Sequence, residues 1–160
     1  QLNPDALGNA WFIDTINIVP NADAEIAALN GLDERNSAVV DERFKEQILE
    51  ELDNTNGNIT LLEYKPNYLR YNSNSTNNGI AIFSEIYYDK GWNAYIDGEL
   101  NSHFRANYVL RGIQIPAGNH VVEFKFEPST YNKGETISLA SSIILLLLLT
   151  FVSFKEIRNT

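Results

Sequence analysis

Apolar and polar residues alternate with period two over most of the middle of this chain, and the alternation stops at Thr136. Ala10 to Val19 predicts a strand, with Phe12, Asp14, Ile16 and Ile18 opposite Trp11, Ile13, Thr15 and Asn17, closed by Pro20. Asn21 or Asp23 then caps a short helix with Ile26 and Leu29 on one side, stopped by Asn30-Gly31. A β-branched run follows at Ser37 to Val40. Asp41 caps a second helix through Leu52, with Phe44, Ile48, Leu49 and Leu52 on one face. Asn54 to Asn58 reads as a loop.

From Ile59 the signals are those of strands: Ile59 to Tyr64, Tyr68 to Asn72, Ile80 to Tyr88, Trp92 to Ile96, Ala106 to Ile115 and His120 to Glu127. The polar stretch Ser73 to Gly79 reads as a loop tip. Asp97-Gly98 marks a hairpin, because both turn positions favour positive φ. In the last strand Val121, Glu123, Lys125 and Glu127 oppose Val122, Phe124 and Phe126. Short strands separated by turn residues predict an antiparallel sandwich.

Thr136 to Phe154 holds no charged residue, and Ile143 to Leu149 is purely aliphatic. As a helix the run spans about 28 Å, close to the hydrocarbon thickness of a bilayer. Its few hydroxyls can return to the helix's own carbonyls. Lys155 and Arg158 follow, and basic flanks favour the cytoplasmic side. The expected fold is therefore mainly β: an antiparallel, jelly-roll-like β-sandwich, preceded by a small α/β segment with two short helices and followed by one transmembrane helix. Residues 1–57 form the α/β segment and 58–128 the sandwich core, together one extracytoplasmic domain. A linker at 129–135, the transmembrane helix at 136–154 and a cytoplasmic tail at 155–160 complete the chain.

The charge distribution narrows the partners. Residues 1–53 hold 12 acids and 3 bases, whereas 54–160 hold 9 of each, for a net charge of −9. An acidic half of this kind does not suit nucleic acid, whose phosphates need a basic face. With no cysteine there is no disulfide and no thiolate metal site. The chain starts at Gln1 and has no methionine, and it is read as a piece of a longer protein.

Candidate chemistry is sparse. His103 lies in a polar loop and His120 at a turn exit, and both read as exposed loop residues. No GxSxG, Walker or GxGxxG pattern occurs. Glycoside hydrolysis needs two carboxylates across a cleft, for which Asp89, Asp97 and Glu99 lie near aromatic rings, but Asp97 is explained by its turn and Asp89 precedes Lys90-Gly91 in another, so a glycosidase is not expected. The loop Asn72 to Asn78 has no acid to charge a calcium site. No catalytic residue, cofactor or metal site is expected. Tyr87, Tyr88, Trp92, Tyr95, Phe104 and Tyr108 crowd one stretch. Rings beside polar groups can stack on sugars, although aromatic residues also fill sandwich cores. The glycan-contact candidates are Trp92 and Tyr95, with Tyr88 and Tyr108.

The segment Glu85-Ile86-Tyr87-Tyr88-Asp89-Lys90-Gly91-Trp92-Asn93-Ala94-Tyr95-Ile96-Asp97-Gly98 resembles a hallmark of bacterial YfhO-type membrane proteins. Arg105-Ala106-Asn107-Tyr108-Val109-Leu110-Arg111-Gly112-Ile113, Ile115 to His120 and Val122-Glu123-Phe124 extend the likeness, as do Gly8 to Phe12, Ser37 to Asp41, and Pro128, Tyr131 and Gly134. The resemblance implies a multi-pass protein of the bacterial cell membrane, similar to glycosyltransferases that use lipid-linked sugars and act on cell-envelope polymers. The catalytic acid of such enzymes sits in an early outer loop, so no catalytic residue carries over to these positions. What the resemblance implies here is the C-terminal extracytoplasmic domain plus the last span, and the first reading is a non-catalytic accessory domain that positions or recognises an envelope glycan. The alternative is a packing domain with no ligand of its own. The expected partners are the lipid bilayer through residues 136–154, other segments of the parent protein and an envelope glycan.

Overall fold

The computed structural model describes residues 6–48 and 57–158, excepting the side chains of residues 129, 130, 132, 133, 151–153 and 155–158. The chain divides into two compact units, Gln1–Phe126 and Glu127–Thr160.

The stretch Ala10 to Val19 is not one strand. It breaks at Asp14 into β1 (Ala10–Ile13) and β2 (Thr15–Val19), which join different sheets. The N–H groups of Asp14 and Thr15 both turn to the carbonyl of Asn36, at 2.8 and 3.0 Å, and this redirects the chain. Asn21 caps α1 (Ala22–Ala28) by accepting a hydrogen bond from the Ala24 N–H at 2.9 Å. The inward face of α1 differs from the expected one. Ile26 is half exposed, and it is Glu25 that is fully buried, because a cation and a backbone N–H await it inside. β3 (Ser37–Asp41) pairs in parallel with β2, with α1 as the crossover.

Asp41 caps the next helix as expected, accepting from the Arg43 N–H at 3.0 Å. That helix is a short 3-10 turn, Glu42–Gln47, and Ile48 is already extended. Phe44 is its buried residue; the expected partners Leu49 and Leu52 lie outside the described residues.

The sandwich is built from β4 (Gly57–Lys65), β5 (Tyr68–Ser75), β6 (Gly79–Ile86), β7 (Trp92–Ile96), β8 (Glu99–Asn101), β9 (His103–Ala106), β10 (Leu110–Ile115) and β11 (Gly118–Phe126), together with β1. One sheet has the order β1-β6-β10-β9 and the other β4-β5-β11-β7-β8, with every pairing antiparallel. β5 runs on through Ser75, three residues into the expected loop tip, because the cross-strand partners of Ser73 to Ser75 on β4 and β11 continue the ladder. Ala106 to Ile115 is likewise not continuous: β9 ends at Ala106, and a turn at residues 107–109 returns the chain as β10.

Period two then sorts the side chains. Leu69, Tyr71, Ala94, Ile96, Val122 and Phe124 of one sheet meet Ala81, Phe83, Ile113 and Ile115 of the other in the main core. Tyr71, Phe83 and Phe124 pack edge to face, with ring centroids 4.8 to 6.3 Å apart. The opposite face of the four-stranded sheet is buried as well. There Ile13, Ile80, Ile82, Phe104 and Ala106 pack on Ala38, Val40 and Phe44. This second layer explains why β6 is apolar on both faces. The β7–β8 hairpin turns at Asp97 and Gly98, with φ of 51° and 85°, as the sequence predicts.

In the second unit, α2 (Ser129–Arg158) contains the whole expected run 136–154. Its described apolar side chains, Ile137, Leu139 and Ile143 to Leu149 among them, are exposed. The hydroxyls of Ser141, Ser142 and Thr150 donate to the carbonyls of Ile137, Ser138 and Leu147 at 2.8 to 2.9 Å. Among the described residues no helix is long and apolar enough to cross a membrane.

Candidate functional site

The segment from Tyr87 to His120 gathers its polar groups around three anchors. The first is Arg111 on β10, almost fully buried. Its guanidinium lies 4.3 Å from the Trp92 ring centroid and 5.1 Å from that of Phe124, and its Nε–H donates to the Ile86 carbonyl at 2.9 Å. Phe126 lies 5.5 Å from the Trp92 ring. Burial lowers the Arg111 pKa and raises that of nearby Glu85, whose carboxylate and the guanidinium each favour the other's charged form. Around this anchor, Arg111 Nη1, the Tyr71 hydroxyl and His103 Nε2 are buried without a hydrogen-bond partner in the structure.

His103 is thus not an exposed loop residue. It opens β9, its ring packs 5.3 Å from Tyr87 and 6.1 Å from Phe124, and burial pushes its pKa down to about 4, with the Arg111 charge adding to the effect. A polar residue followed by Phe104-Arg105 alternates as a strand does, but it takes the packed neighbour strand to bury it.

The second anchor is the turn between β9 and β10. Asn107 and Tyr108 have φ of 48° and 68°, a region that costs non-glycine residues free energy. Asn107 is held from both sides: its Oδ1 accepts from the Val39 N–H and its own N–H donates to the Val39 carbonyl, both at 2.8 Å. Glu25 completes the clamp by accepting from the Tyr108 N–H at 2.9 Å and pairing with Arg105. Arg105 also lies 3.7 Å from Asp41. The backbone hydrogen bond from Arg43, with its guanidinium next, holds the Asp41 carboxyl below its usual range. The buried Glu25 has no visible mark in the sequence, since it sits in an acidic helix like many exposed residues.

The third anchor is Asp97 in the hairpin turn. Its carboxylate accepts from the Val121 N–H at 2.8 Å and from His120 Nδ1 at 2.6 Å, while His120 Nε2 faces the Ala117 carbonyl at 3.1 Å. Two acceptors require two ring donors, so this is the imidazolium form. These same contacts, the Asp97 one first, raise the His120 pKa and lower that of Asp97. His120 is therefore half-buried and engaged, where a free loop residue was expected.

The four glycan-contact candidates do not share one platform. Trp92 is half-buried between Arg111 and Phe126. Tyr95 points to the other side of β7, where Lys125 Nζ lies 4.6 Å from its ring and Tyr68 donates to the neighbouring Glu123. Tyr88, after β6, and Tyr108, in the β9–β10 turn, are exposed; the Arg105 guanidinium lies 5.2 Å from the Tyr108 ring. Sequence reasoning missed a separate hollow of about 280 Å³, lined by Gln47, Asn78, Asn101, Gln114 and Pro116. Its four carboxamides come from four segments distant in sequence, so no local spacing announces it. Among the described residues no group of three or more histidine, cysteine or acidic side chains is placed to hold a metal ion.

No curated protein and no solved structure matches the chain. Residues 41–138 match the family described as bacterial membrane protein YfhO. That stretch contains all of β4 to β11 and the three anchors. More than half of the sequence lies inside the match, and the chain belongs to the YfhO family of bacterial membrane proteins.

Proposed function

We propose that this chain is a non-catalytic accessory domain on the outer face of a bacterial membrane, serving a multi-pass protein that glycosylates cell-envelope polymers. One observation carries the reading. Arg111, Arg105, Asp97 and His120 of the Tyr87 to His120 segment are each held in a fixed contact: Arg111 with Trp92, Arg105 with Glu25 and Asp97 with His120. A segment arranged in this way delivers a fixed shape. α2 is the membrane span in this reading, supported by an apolar surface without a polar stripe and by hydroxyls bonded back into the helix. The basic residues after it favour an outward-facing sandwich. To test this, the chain is reconstituted in vesicles and offered polyprenyl-phosphate sugars and envelope polymer, with products read by mass spectrometry. No transfer is expected, while removing residues 41–126 from the parent protein abolishes transfer. Turnover by this chain alone overturns the proposal.

A second reading, glycan recognition, is favoured by the carboxamide hollow. Asn and Gln amides offer both donors and acceptors, as neutral sugar hydroxyls require. NMR titration with neutral oligosaccharides separates the two sites: loss of binding in Asn101→Ala assigns it to the hollow, and loss in Trp92→Ala to the ring.

A further inference from the structure

We infer that protonated His120 is a positioning residue for the carboxamide hollow: it locks together two of the segments that wall it, so that binding there weakens when His120 loses its proton. The ligand class, neutral sugars, rests on the second reading above; the lock itself rests on geometry. The hollow takes Asn101 from β8, Gln114 from β10, Pro116 from the turn before β11, Asn78 from the β5–β6 connection and Gln47 from the 3-10 turn. None of the five side chains carries a charge. The charged contact lies behind the wall.

Ala117, next to Pro116, is gripped at both its backbone groups. Its N–H donates to Asn78 Oδ1 at 2.9 Å, which fixes the orientation of an amide that lines the hollow. Its carbonyl accepts from His120 Nε2 at 3.1 Å. Gly118 lets the ring approach, since a Cβ there would meet His120 Nε2 at 3.3 Å, and its φ of 119° favours glycine as well. The other ring nitrogen, Nδ1, donates to Asp97 at 2.6 Å. Asp97 opens the turn into β8, so the imidazolium joins the hairpin that carries Asn101 to the turn that carries Pro116. Asp97 is the titratable side chain that faces His120 from the β7–β8 turn; Ser73 across from it on β5 and Ala117 in the β10–β11 turn do not titrate. A neutral imidazole has a single N–H. The carboxylate keeps that donor, and the Nε2 lone pair then opposes the Ala117 carbonyl oxygen, which pushes the turn away from the ring.

The test follows the isotope-labelled full chain in detergent micelles by NMR from about pH 5.5 to 9, the range in which histidine titrates. The chain has two histidines, and His103, with its pKa pushed down to about 4, is neutral across that range. The side-chain amides of Asn78 and Gln114 are expected to shift with the midpoint of the His120 ring. Asp97→Asn removes the carboxylate at a turn position that asparagine tolerates, and it should lower both midpoints together. His120→Gln should abolish the amide titration; a shift that persists there comes from another group and overturns the lock. Triacetylchitotriose and mannotriose serve as neutral probes, and their binding is expected to weaken about two- to fivefold on deprotonation, as the loss of one partly exposed charged contact gives. If His120 titrates while the amides stay still, the lock is overturned, and a probe that perturbs Asn101 leaves the glycan reading standing. If the amides follow His120 and neither probe perturbs the hollow, the lock holds and the glycan reading falls.

Discussion

Removing the carboxylate of Glu25 is the sharpest test of how the β9–β10 turn is held. Glu25 has no solvent exposure, accepts from the Tyr108 N–H and pairs with Arg105, whose side chain is 18% exposed. In Glu25→Ala the Tyr108 N–H loses its acceptor, a loss of about 1–3 kcal/mol. Arg105 keeps Asp41 at 3.7 Å, so its share falls below the about 3–5 kcal/mol seen when a fully buried pair is broken. Together these give a destabilisation of about 2–4 kcal/mol, a large part of the about 5–15 kcal/mol of an ordinary domain. Glu25→Gln keeps an acceptor for Tyr108 and loses the charge, so it falls between wild type and alanine. Urea unfolding of the full chain in detergent, followed by Trp11 and Trp92 fluorescence, reads the loss, and a double-mutant cycle with Arg105→Ala reads the coupling. A loss below about 1 kcal/mol, the range of surface pairs, or a cycle without coupling would falsify the clamp.

Three further outcomes follow from the packing and the titrations. Gly112→Ala is expected to lose about 1–3 kcal/mol, because a Cβ there overlaps the ring of the fully buried Phe104; unchanged urea unfolding would mean that ring is free to move. His103 contributes stability that is complete above its ordinary pKa of 6.5 and is lost as pH falls towards its folded value of about 4, at most about 3 kcal/mol. His103→Leu should flatten that acid slope, and an unaltered slope refutes the assignment. The His120–Asp97 pair has the opposite sign on the alkaline side. The His120 contribution is complete below pH 6.5 and lost as pH rises through its raised value, while that of Asp97 is lost as pH falls below 3.8 towards its lowered value. With Asp97 half exposed, the pair is worth about 0.5–1 kcal/mol. An NMR midpoint for His120 at or below 6.5 would contradict the geometry.

The sequence by itself determined what local periodicity and turn chemistry can carry. Most strands from Ile59 onward, the Asp97-Gly98 hairpin, the Asn21 and Asp41 caps and the helical run from Thr136 are properties of neighbouring residues; the short β8 and the break of Ala106 to Ile115 at residues 107–109 are not. The turn at Asp97 was legible, since Asp-Gly needs no distant partner to turn, but the contacts of its carboxylate with His120 and Val121 were not. Only the tertiary structure decided what depends on residues far apart in the chain. Asp14 breaks a strand because Asn36 accepts its N–H, and the 3-10 helix stops at Gln47 where periodicity alone would have carried it on. His103 is half-buried against Tyr87 and Phe124, Glu25 is buried by Arg105 and the 107–108 turn, and Trp92 lies under Arg111. The physical reason is the same in each case. A polar or aromatic side chain goes inward only when a partner waits there, and in an antiparallel sandwich that partner comes from another strand, at a sequence distance no local pattern encodes.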